Sequence, residues 1–106
     1  MNQSPVSEIT LRALEGEPLK DGRIREMVVA TARAIAERQG VTVLDMRTDS
    51  DRITVKLNTG RIESIGFAAE LRRLTTRWYT QKYGKTTLWG DVEPEAEDQS
   101  ESWKLR

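Results

Sequence analysis

Two stretches of the chain carry apolar residues at helical spacing, and one between them alternates apolar with polar positions. From Gly22 to Gln39, Ile24, Met27, Val28, Thr31, Ala32 and Ile35 recur every three or four residues, while Glu26, Arg33 and Glu37 line the opposite side. This spacing predicts a long surface helix, with Asp21 as its N-cap and Gly40 as its left-handed C-cap. From Val41 to Leu57 the period falls to two. Folding this stretch back across Thr48, Asp49, Ser50 and Asp51 sets Met46 opposite Ile53, Leu44 opposite Val55 and Thr42 opposite Leu57. One face of the hairpin is then core. The other carries Asp45, Arg47, Arg52, Thr54 and Lys56, with Val41 and Val43 as its only apolar members.

The turn signal Asn58-Thr59-Gly60 predicts a third strand over Arg61 to Ile65, which places Ile62 beside Leu57. A helical start at Arg61 conflicts with the wheel, because Ile62 and Ile65 fall opposite the stripe of Phe67, Leu71, Leu74 and Trp78. The change of period is therefore put at Gly66, and a second long helix is expected from Gly66 to Tyr83, ended by Gly84. Ahead of the first long helix, Ser7 is placed to cap a short helix with Ile9, Ala13 and Leu14 on one face. Ile9 and Leu11 also alternate as in a strand, but the helix is the reading taken. KTTLWG offers either an edge strand or a cap of Leu88 and Trp89 over the helix end.

These elements make an α+β two-layer sandwich: a small antiparallel meander with two long helices on one face, in the order α-β-β-β-α, with a short extra helix ahead of them where residues 7–16 turn helical. Residues 1–6 are expected to be disordered, residues 7–90 to form one domain, and residues 91–106 to form an acidic disordered tail. The same element order occurs in double-stranded RNA-binding domains. The residues part from that family, since the helix opens Gly66-Phe67-Ala68-Ala69-Glu70 without a basic cluster and the hairpin loop is acidic and lacks histidine.

Composition narrows the chemistry more than it names it. The 106 residues contain no cysteine and no histidine, which removes thiol nucleophiles, the commonest general base and the usual zinc ligands. No catalytic residue, metal site or cofactor is implied, and an enzyme is the least expected class. Without a signal-like start or an apolar run near 20 residues, the expected location is the cytoplasm, with no membrane partner. Charge is balanced at 17 against 17, yet residues 1–90 carry 15 basic and 11 acidic side chains and residues 91–106 carry 2 and 6.

Two functional readings remain. The first is a non-catalytic interaction module that binds itself or another protein, suggested by a small core and a short sheet with edges to cover. The second is RNA or DNA binding through the basic and aromatic residues Arg72, Arg73, Arg77, Tyr79, Lys82, Tyr83 and Lys85, which combine phosphate-binding and base-stacking chemistry. Against the second stand the acidic loop, the acidic tail and the plain alternative that these side chains edge a structural helix.

Overall fold

The computed structural model describes residues 5–84 and 87–90. Strand β1 is Ser7–Arg12, a 3-10 turn follows at Pro18–Lys20, and helix α1 is Gly22–Gln39. Strands β2 (Val43–Asp49) and β3 (Arg52–Leu57) form a hairpin, and helix α2 is Arg61–Tyr83. The sheet is antiparallel throughout, in the order β1-β3-β2. It is the expected α+β class, with three antiparallel strands and two long helices.

Helix α1 begins and ends where its sequence places it. The Asp21 carboxylate accepts the Arg23 amide at 2.9 Å, and Gly40, at φ 73°, adopts the left-handed turn that closes the last carbonyls. Its inward stripe of Ile24, Val28, Ala32, Ile35 and Ala36 is buried. Strand β3 is buried at Ile53, Val55 and Leu57 and half-exposed at Arg52, Thr54 and Lys56, so both helices lie on one side and the other side of the sheet is open.

Three assignments differ from the sequence expectation, each for a physical reason. First, the third strand comes from the N-terminus rather than from Arg61–Ile65. Ser7–Arg12 is a strand and not a helix, with Ile9 facing Val55 and Leu11 facing Ile53. The Ser7 hydroxyl caps no helix and instead donates to the Thr59 carbonyl at 2.8 Å. Residues 58–60 are thereby tied to β1 and to Thr42, whose amide donates to the Asn58 side chain at 2.9 Å, so they cannot reverse into a hairpin.

Secondly, α2 starts at Arg61, five residues before the expected Gly66, and carries Ile62 and Ile65 on its first turns. Thirdly, the hairpin turn is two residues, Ser50 and Asp51, rather than four. The tighter turn slides the register, setting Met46 opposite Val55, Thr48 opposite Ile53 and Val43 opposite Leu57. A bulge between Val43 and Asp45 then shifts the phase of the strand. Val41 and Val43 pack against the core instead of facing outward, and Leu44, expected inside, is 49% exposed.

The core joins Ile53, Val55 and Leu57 to Val28, Ile35, Phe67 and Leu71, with Met46, Leu74 and Trp78 partly buried against it. Leu11 of β1, Leu19 of the 3-10 turn and Leu88 and Trp89 from the segment after α2 complete it. Truncating Leu71 or Ile35 to Ala is expected to cost about 2–5 kcal/mol, whereas Leu44→Ala should stay within about 0.5 kcal/mol, read from chemical denaturation midpoints.

Candidate interaction surface

Helix α2 dominates one flank of the molecule because it carries two apolar stripes. Its inward stripe buries Ser64, Phe67, Leu71 and Thr75. Nearly opposite lie Ile62, Ile65, Gly66 and Ala69, all exposed, with Ile62 at 81% and Ile65 at 50%. Spacing of three, four and seven residues is the spacing of a packed helix face. Here that face has no cover among the described residues.

Below this stripe, α2 lies over β1 and leaves a groove of about 480 Å³ along the strand. Ile9 and Leu11 from the strand and Ser64, Ile65, Ala68 and Ala69 from the helix line it, and Arg61 and Arg72 stand towards its two ends. Two helices side by side cover roughly 20 Å, the width of four strands at ~4.8 Å spacing. The sheet has three. Among the described residues, no strand pairs with the outer edge of β1 between Ser7 and Thr10.

At its far end that edge is occupied. Ala13 bridges Trp89 antiparallel, the Gly90 amide donates to the Arg12 carbonyl at 2.8 Å, and the Leu14 amide donates to the Leu88 carbonyl at 3.0 Å. The segment is held there by a buried bond that the sequence did not reveal: the Trp89 indole N–H donates to the Thr75 hydroxyl at 2.8 Å, which donates in turn to the Leu71 carbonyl at 2.5 Å. A threonine on an inward helix stripe and a distant tryptophan give no pattern by which to pair them. Of the two roles open to KTTLWG, Leu88 and Trp89 fill the packing one, and Trp89 adds a single bridge to β1.

The basic and aromatic residues of α2 are spread over different surroundings. Arg72 turns towards β1, where its guanidinium donates to the Gly90 carbonyl. Arg73 pairs with Glu70 at 2.9 Å, and Arg38 of α1 reaches the same carboxylate at 3.5 Å. Arg77 is exposed. Tyr79 is half-buried against the core, its ring 5.3 Å from that of Tyr83, which meets Trp78 edge-on at 5.9 Å. The Lys82 ammonium sits 5.8 Å from the centre of the Trp78 ring. Lys85 lies outside the described residues.

The open sheet face is a lattice of compensated charge. Lys56 stands between Glu8 and Asp45, Thr54 between Thr10 and Arg47, and Arg52 between Arg12 and Asp49. The Thr10 and Thr54 hydroxyls are 3.2 Å apart, and Arg52 also contacts Asp51 at 3.2 Å. Pairs of this kind at a wet surface contribute little stability each. Among the described residues no group of three or more acidic side chains is placed to hold a metal ion, and no helix is long and apolar enough to cross a membrane.

No protein-family model matches the chain, and no curated protein sequence matches it. The Thr75–Trp89 bond supplies the test for this region. Thr75→Val keeps the side-chain shape but strands a buried indole N–H, so it should lower stability by about 1–3 kcal/mol in a denaturant titration.

Proposed function

We propose that the chain is a non-catalytic protein-interaction module that self-associates through the outward stripe of α2. The observation that carries this reading is Gly66. A glycine in a helix interior costs about 0.5–1 kcal/mol relative to alanine, and a methyl group added there meets nothing within 4 Å, so no packing among the described residues calls for it. Gly66 sits among Ile62, Ile65 and Ala69 on the face that is left uncovered.

A second α2 crossing at this point gives the glycine a use. A two-fold antiparallel contact centred between Ile65 and Gly66 sets Ile62 against Ala69 of the partner subunit and the reverse, large against small, with Gly66 allowing the helices to approach. Exposed contiguous apolar area of this kind marks contact surfaces on soluble proteins. The balanced overall charge opposes neither a second copy nor another protein.

Light scattering of the intact chain is expected to give a dimer at high micromolar concentration and a monomer for Ile65→Glu, with the fold unchanged by circular dichroism. Gly66→Ala should raise the stability of the monomer by about 0.5–1 kcal/mol, and Gly66→Leu should weaken association. A monomeric mass for the intact chain at that concentration overturns the proposal. A mass that rises only when RNA is added favours the nucleic-acid reading instead, through the exposed Arg77, Lys82 and Tyr83.

A further inference from the structure

The outer edge of β1 is closed at one end of the groove and open along the rest. Backbone parity fixes what the open part offers. The Ala13 amide points to β3, donating to Asp51 at 2.8 Å, while the Leu14 amide and the Arg12 carbonyl point the other way, to Leu88 and Gly90. Alternation along the strand therefore turns the Ile9 and Leu11 amides towards β3 and the amide and carbonyl groups of Glu8 and Thr10 towards the groove. Among the described residues no strand pairs with them.

We infer that this groove takes the carboxyl-terminal end of another protein, bound as an extended strand parallel to β1. The backbone groups set the mode of binding. A residue placed opposite Ile9 gives its amide to the Glu8 carbonyl and accepts the Thr10 amide, and its side chain enters the apolar space between Ile9, Ile65, Ala68 and Ala69. A β-branched or aliphatic residue suits that place.

The closed end selects a chain terminus over a through-running strand. Gly90 holds the position opposite Arg12, its amide donating to the Arg12 carbonyl at 2.8 Å, so an incoming strand must stop about one residue beyond Thr10. Arg72 lines the groove at this same end, where its guanidinium donates to the Gly90 carbonyl and keeps further donors to offer. A terminal carboxylate is complementary to it. Because β1 runs towards this end, a partner strand that finishes here runs parallel to β1 and carries its apolar residue in the penultimate position.

A direct pairing of β1 with β1 of a second copy fits less well. Helix α2 lies over β1, and two such helices would be brought to about one strand spacing of ~4.8 Å, well inside the 8–10 Å that packed helices need. The groove reading does not depend on association through the outer stripe of α2, and its test reads different groups.

The test is an NMR titration of the intact chain with acetylated pentapeptides that carry Val, Ile or Leu in the penultimate position, each with a free carboxyl terminus and as the terminal amide. At up to about 1 mM peptide the free-carboxyl form should shift the Glu8 and Thr10 amides and slow Thr10 exchange, while Ile9 and Leu11 stay protected throughout and report an intact fold. Terminal amidation should weaken binding at least about tenfold, and Arg72→Gln should bring the free-carboxyl form down to the level of the amide without changing the amide form. Absence of any shift at Glu8 and Thr10 overturns the inference, as does equal binding of the two peptide forms. So does a Thr10 amide that, without peptide, exchanges as slowly as Ile9 and Leu11: protection that grows with protein concentration assigns the edge to a second copy, and protection independent of concentration assigns it to the chain itself.

Discussion

Pairing of β3 on both of its edges is the constraint on which the rest of the molecule depends. Its three inward side chains, Ile53, Val55 and Leu57, are fully buried, and each can be so only because a strand on either side and two helices above exclude water. The hairpin supplies β2 at little entropic cost, since its turn is two residues. β1 is separated from β3 by residues 13–51, with α1 and β2 in between, and it is the long-range pairing that turns a marginal ribbon into a sheet.

Using the N-terminus for the third strand determines what α2 becomes. Residues 61–65 are released from the sheet and add more than a turn to the helix, and that added turn brings Ile62 and Ile65 to the surface. The outward stripe, the groove beneath it and the clamp of Trp89 on Thr75 are consequences of one choice of strand partner. A helix whose two faces are both apolar has more to bury than the described residues cover.

Much of this was legible in the residues and some was not. α1 could be bounded to the residue because cap, stripe and terminator agree over 18 positions. The hairpin could be located but not its register, since Thr48-Asp49-Ser50-Asp51 accommodates either a four-residue loop or a two-residue turn, and the bulge at Leu44 reverses the phase in which Val41 and Val43 would otherwise be read. β1 has only Ile9 and Leu11 on its inner face beside Ser7, too few to separate a period of two from one of 3.6. The outward stripe was visible as a conflict on the helical wheel. A strand removes that conflict by giving Ile62 and Ile65 cover in the sheet, whereas in α2 they have none among the described residues.

The pairing of β1 with β3 is therefore the most direct thing to measure, because the uncovered stripe exists only if residues 61–65 are helical. The account predicts that nuclear Overhauser contacts link Ile9 to Val55 and Leu11 to Ile53, and that the amides of Ile53, Val55 and Leu57 are among the last in the protein to exchange. Contacts from residues 61–65 to β3 in their place, with fast exchange along Ser7–Arg12, would contradict it.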